Sequence, residues 1–205
     1  MIDFIVSMWS SGWEDKFFLI LGVIIFIGAF VGVIYGVLTQ LDRGFMKNKF
    51  DKELHWGKAC LPLDVRYTMT LGPDVIACLK EAVVDINHSI SFEIFEMPKP
   101  FDDFDGSVHV LVDVMSAEQK LVYTTAGGVT KLKHNDAGEI GGAYIHLCES
   151  RKGMHGIINH ELGHALGLDH DDSTRSVMNP VIQDRQQFMT TGDAKRLRER
   201  YGEKR

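Results

Sequence analysis

Cysteine is scarce in this chain, and its scarcity excludes whole classes of protein. Cys60, Cys78 and Cys148 cannot all pair, so no disulfide framework holds the fold. They are also too few and too far apart for a thiolate metal cage. Basic residues are in deficit: 22 Lys and Arg stand against 28 Asp and Glu, a formal charge of −6, with a sequence pI near 5.8. A general nucleic-acid binder is normally basic, so nucleic acid is not an expected partner. The sequence has no internal repeat and no low-complexity tract. With 45% hydrophobic and 24% charged residues, it is neither a disordered chain nor a multi-span membrane protein.

One segment stands apart. Residues 17–38, from Phe17 to Leu38, carry no charge; as a helix rising about 1.5 Å per residue they reach roughly 33 Å, enough to cross a hydrocarbon core. Trp9 and Trp13 precede the run and Tyr35 lies near its end, where amphipathic rings sit at headgroup level. A cleaved signal peptide is the poorer reading. The flank before the run holds Asp3, Glu14 and Asp15 against only Lys16, and no A-x-A site follows. The expectation is an N-terminal flank (1–16), a single transmembrane helix (17–38) in contact with the lipid bilayer, a juxtamembrane linker (39–59) and one folded domain (60–205). Gly28, Gly32 and Gly36 recur every four residues. That pattern permits self-association of the span, although glycine is also simply common in membrane helices. Lys and Arg near the ends of the run favour the C-terminal side, with Arg43, Lys47, Lys49 and Lys52 against Lys16 alone. The positive-inside rule then places the folded domain in the cytoplasm, a compartment compatible with free cysteines.

The folded part reads as α+β with a mixed five-stranded sheet. Val65–Leu71 alternates apolar and polar residues, the period of a half-buried strand. Gly72-Pro73-Asp74 then opens a helix with Val75, Ile76, Leu79, Val83 and Ile86 on one face. Further strands are expected at Ser91–Glu96, Ser107–Val114, Val122–Leu132 and Ala143–Cys148, and helices at Gly153–Leu168 and Thr191–Tyr201. Cys78 falls within the apolar face of the first helix and reads as a reduced core thiol. Lys195, Arg196, Arg198, Arg200, Lys204 and Arg205 close the chain and read as a solvated helix end that complements the dipole.

The chemistry is concentrated between His160 and His170. This segment fits H-E-x-x-H-x-x-G-x-x-H at every fixed position. Residues four apart on a helix lie about 40° apart in rotation, so His160 and His164 project from one face one turn apart. Their imidazoles can share one Zn²⁺ at about 2.0–2.1 Å. Glu161 is set about 100° further round, beside the metal rather than on it. Gly167 can take a left-handed conformation and turn the chain back, so that His170 arrives as the third ligand. Three protein ligands with a fourth position left for water define catalytic zinc. Zinc acidifies that water, and Glu161 can take its proton as general base during attack on a peptide bond.

This motif, followed by Ser176-Val177-Met178-Asn179-Pro180, resembles the zinc signature and Met-turn of the metzincin metallopeptidases. Residues 60–202 look most like a matrixin catalytic domain, down to the closing Tyr201-Gly202. The resemblance implies a metzincin-like zincin fold with an active-site helix, a Met-turn and a C-terminal helix, preceded here by the transmembrane helix. It implies a zinc endopeptidase acting on polypeptide, with Met178 as an apolar floor beneath the metal. Pro180, Val181 and Ile182 would line a substrate pocket. The strand carrying Gly127 and Gly128 would pair with substrate, although those glycines also suit a simple bulge. Matrixins often bind further structural zinc or calcium. The ligands for such ions are not clearly reproduced here: His134, Asp136 and His146 could form part of a second site, but His109, His134 and His146 read rather as solvated or hydrogen-bonded side chains. Several positions depart from the family pattern. Asp171 stands where matrixins usually have Ser or Thr, and Ile182 where many have Tyr. No P-R-C-G-type cysteine precedes the domain; Cys60, just before the first strand, could in principle ligate zinc in a latent form but reads rather as a plain reduced thiol. The competing reading is a non-enzymatic membrane-anchored scaffold that keeps the zincin fold; an intact Glu161 argues against it.

Overall fold

The computed structural model describes residues 53–101, 108–148, 153–181 and 188–202. The chain divides into two units, Met1–Asp51 and Lys52–Arg205, and the described residues all belong to the second. Among them no helix is long and apolar enough to cross a membrane. The expected span at 17–38 lies outside the described residues, as do Ile182 and most of the linker.

The elements run β1 (His55–Trp56), β2 (Val65–Tyr67), α1 (Pro73–Ile90), β3 (Lys99–Pro100), β4 (Val110–Val114), α2 (Ala117–Val122), β5 (Gly128–His134), β6 (Glu139–Leu147), α3 (Met154–Ala165) and α4 (Thr191–Tyr201). They form a six-stranded sheet in place of the five strands expected, in the order β1-β6-β4-β2-β3, with β5 on β6. Every pairing is parallel except β5 with β6. Three helices pack together beside it: α1 meets α3 and α4, and α3 lies against β5 and β6. Buried Val65, Val110, Val112, Ile145 and Leu147 from the strands and Leu79, Val83, Ile86, Ile158 and Leu162 from the helices supply the apolar burial that dominates folding.

Several boundaries differ from expectation (the strands at Val110–Val114 and Glu139–Leu147 and the helix at Met154–Ala165 among them), and in three places the local reason is clear. Ser91–Glu96 is no ladder strand. Ser91 ends α1 in the left-handed region at φ 66°, and Asn87 then satisfies the next backbone groups. Its Oδ1 accepts from the N–H groups of Ile94 (3.0 Å) and Phe95 (3.2 Å), and its Nδ2 donates to Phe95 O at 2.8 Å. Among the described residues its one β-bridge is Leu63–Phe95, outside the named strands. The expected strand from Val122 starts at Gly128 instead, because a capping box formed by Ser116 and Gln119 initiates α2. The first strand stops at Tyr67; Thr68 and Thr70 turn their hydroxyls to Asp113 Oδ1 at 2.6 and 2.8 Å.

The C-terminus of α3 is sealed with unusual completeness. Gly167, at φ +79°, forms a Schellman turn: Gly167 N–H donates to His164 O at 2.8 Å and Leu168 N–H to Gly163 O at 3.0 Å. The following carbonyls are claimed by side chains from both ends of the domain. Trp56 Nε1 donates to Ala165 O at 2.8 Å and Tyr201 Oη to Leu166 O at 2.8 Å, and Arg200 donates to Gly167 O. Arg200 also holds Leu54 O at 3.0 Å, and Tyr201 Oη accepts from Trp56 N–H at 3.2 Å. Residues 54–56 thus form a strap across the end of α3. A side chain at position 167 would strike Leu54 O, so this glycine is required by both its φ and its neighbour. The basic C-terminal helix is therefore not merely a solvated end, since Arg196, Arg198 and Arg200 all bond inward.

Candidate zinc centre

α3 carries His160 and His164 one turn apart, and the turn at Gly167 brings His170 back to them. Nε2 of His164 lies 3.0 Å from Nε2 of His160 and 3.2 Å from Nε2 of His170. Among the described residues this trio forms a metal-competent cluster, its ligand atoms all within 4.8 Å of one another. Cys60, His134, Asp136 and His146 are not part of it. His134 ends β5 with its ring against Asn135 O, and His146 lies within β6.

The donor set fits zinc. His160 Nδ1 lies 2.7 Å from Val177 O and His164 Nδ1 lies 2.7 Å from Leu168 O. A carbonyl only accepts, so both Nδ1 atoms carry the proton and both Nε2 atoms present lone pairs. Two lone pairs facing each other at 3.0 Å repel unless a cation stands between them. Ligands about 2.05 Å from a tetrahedral zinc are themselves about 3.3 Å apart. Burial keeps the rings neutral, the form that binds metal. It pushes the pKa of His160 down to about 4 and of His164 down to about 3, and lowers that of His170.

Glu161, 4% exposed, lies beside the cluster. Burial pushes its carboxyl up to about 7, with a hydrogen bond from Thr130 opposing; a divalent cation among the histidines acts in the same sense as that bond. Thr130 Oγ1 is 2.6 Å from Glu161 Oε2 and 3.1 Å from Glu161 O. Thr130 is on β5, and sequence reasoning passed over it because its partner is distant in the chain. Gly127 and Gly128 serve the same approach. A Cβ at 127 would stand 2.6 Å from Ile157 Cδ1, and one at 128 would stand 2.6 Å from Glu161 Cγ. Their bareness lets β5 lie directly on α3.

Met178 is fully buried, and its sulfur lies where a side chain on Gly163 would be. The Met-turn thus packs against the backbone of the active-site helix between the two histidines. Asp193, 1% exposed, holds that turn: it accepts from Ser176 Oγ at 2.6 Å and Val177 N at 3.1 Å. Asp193 also closes a capping box with Thr190 at the start of α4 and accepts from Arg196 at 2.6 Å. Burial raises its pKa, but the hydrogen bonds from Ser176, Thr190 and Arg196 prevail and hold it below its ordinary value. Pro180 and Val181 follow the turn on the surface, Val181 being 69% exposed.

A helix presenting two histidines, a third delivered by a glycine turn, and a buried methionine turn against that helix together describe a zinc-dependent metallopeptidase. The family model for Matrixin matches residues 77–202, and the chain belongs to that family. No curated protein matches the chain. Among solved structures it is similar to high choriolytic enzyme 1, a hatching enzyme zinc-protease from Oryzias latipes (medaka fish). The identity is 17%, coverage is 72% of this chain and 94% of that one, and the TM-score is 0.44.

Proposed function

We propose that the chain is a membrane-anchored zinc endopeptidase in which Glu161 is the general base. The observation that carries this reading is the convergence of three imidazole Nε2 atoms, with a buried carboxylate at the helix position that follows His160. His160, His164 and His170 hold the zinc, which supplies a Lewis acid for the scissile carbonyl and for water. Thr130 engages Glu161 through Oε2, leaving Oε1 to take the proton of the attacking water and to pass it to the leaving amine. Extended polypeptide lies along the edge of β5 turned away from β6, which is unpaired among the described residues. Met178 and Gly163 keep the helix face that carries the ligands from shifting.

The test uses the full chain in detergent with a broad peptide library. Endoproteolytic cleavage that stops with a zinc chelator and returns on adding zinc is expected. A zinc-loaded chain that cleaves nothing would favour the scaffold reading.

Residues 17–38 are the anchor in this proposal, and the charge bias around them faces the peptidase to the cytoplasm. The expected result is that Asn48→Cys, in a chain whose native cysteines are replaced by Ser, reacts with a membrane-impermeant maleimide only after the cells are permeabilised. Labelling of intact cells would reverse the orientation and leave the zinc chemistry unaffected.

A further inference from the structure

The three ligands are not held alike. His160 and His164 each have Nδ1 fixed on a backbone carbonyl at 2.7 Å. His170 lies beyond the helix in an exposed segment without regular structure, and among the described residues its Nδ1 has no hydrogen-bond partner. Its position therefore depends on the backbone that carries it, and the anchor of that backbone is the next residue. Asp171 N–H donates to Met178 O at 2.9 Å, and Asp171 Oδ1 accepts from Ser173 N–H at 2.8 Å. Its other carboxylate oxygen, Oδ2, stands 3.3 Å from Nη2 of Arg196.

That same nitrogen donates to Asp193 Oδ1 at 2.6 Å, and Asp193 in turn grips Ser176 and Val177 of the Met-turn. One guanidinium thus joins the carboxylate of the His170 segment to the buried carboxylate of the Met-turn. Val177, whose carbonyl orients His160, belongs to that turn as well. The hydroxyl of a Ser or Thr at 171 could not form this ion pair.

We propose that Arg196 and Asp171 are a positioning pair that sets His170 against the Met-turn and thereby controls how firmly the third ligand holds zinc. The proposal rests on the zinc reading of the site. Groups hydrogen-bonded directly to a metal ligand are commonly worth 10–100-fold in metal affinity; this link acts one step further out, through the backbone at 170–171, so the low end of that range is expected. Asp171→Asn removes the link while leaving the Arg196–Asp193 pair in place; Arg196→Met removes both contacts and the 3.4 Å one from Arg196 Nη2 to Ser176 Oγ.

The full chain in detergent is loaded with zinc, and the rate at which a chromogenic chelator strips the metal is measured for the wild type, both single variants and the double variant. Asp171→Asn and Arg196→Met should each lose zinc about tenfold faster. The double variant should lose it no faster than Arg196→Met alone, because the two changes cut one link. With cobalt(II) in place of zinc, the visible absorption should change in the same way in both single variants, a signature that a loss of fold stability alone does not produce. Wild-type zinc release from folded Asp171→Asn, or effects that multiply in the double variant, would overturn the pairing. A wild-type chain that takes up no zinc would instead overturn the reading of the site itself.

Discussion

Substituting Glu161 by Gln should leave zinc content and fold intact and remove nearly all peptide hydrolysis. The amide keeps the shape of the carboxylate and can still contact Thr130 Oγ1, 2.6 Å from Oε2 in the wild type, but it cannot take a proton. General-base catalysis typically contributes about 10²–10⁴-fold, and a group that also orients the attacking water exceeds that range. The comparison is made at equal zinc occupancy by elemental analysis. Turnover of a metal-replete Glu161→Gln chain at the wild-type rate would sink the assignment. The variant is informative because Glu161 is 4% exposed: removing its charge relieves a desolvation cost, so a loss of activity cannot be ascribed to a weakened fold.

Asp193→Ala should be strongly destabilising. The carboxylate accepts from Ser176, Val177, Thr190 and Arg196 while only 1% exposed. Truncation strands these donors, and breaking a buried charged pair costs about 3–5 kcal/mol, a large share of the roughly 5–15 kcal/mol that holds a domain folded. The denaturant midpoint of Asp193→Ala should fall below that of the wild type, with the milder Asp193→Asn between the two. Its pH dependence has a definite sign. The folded pKa lies below the ordinary 3.8, so the stabilisation is present above about pH 4 and is lost as pH falls through the folded value. The gap in midpoint between wild type and variant should therefore narrow on acidification below about pH 4. A gap that widens there would contradict the hydrogen-bonded carboxylate.

The histidine cluster was legible because an i, i+4 pair on a helix and a glycine turn are local geometry, and local geometry is written in spacing. The helix openings at Pro73 and Thr191 were legible for the same reason. Asn87 defeated the reading of 91–96, since a side chain seven residues away took over the hydrogen bonds that a neighbouring strand would have supplied. The capping box at Ser116 was present in the sequence but was outweighed by the β-rich run that follows it. Thr130, Arg196 and Asp193 were out of reach because their partners lie 31, 20 and 17 residues away. Arg200 and Trp56 bond to residues still more distant in the chain. A basic run on a helix gives no sign of which arginines turn inward until the opposite end of the chain is placed beside it.

The strap of Leu54 and Trp56 gives the N-terminal edge of the domain an unexpected meaning. A cut upstream of Glu53 would free the catalytic unit with its helix seal intact. A cut a few residues later, between Trp56 and Leu61, would detach the indole from Ala165 O and the Leu54 carbonyl from Arg200, loosening the turn that delivers His170. In a chain anchored as proposed, shedding and inactivation would be separated by a few peptide bonds. The segment that would set such a peptidase loose is also the one through which it could be disarmed.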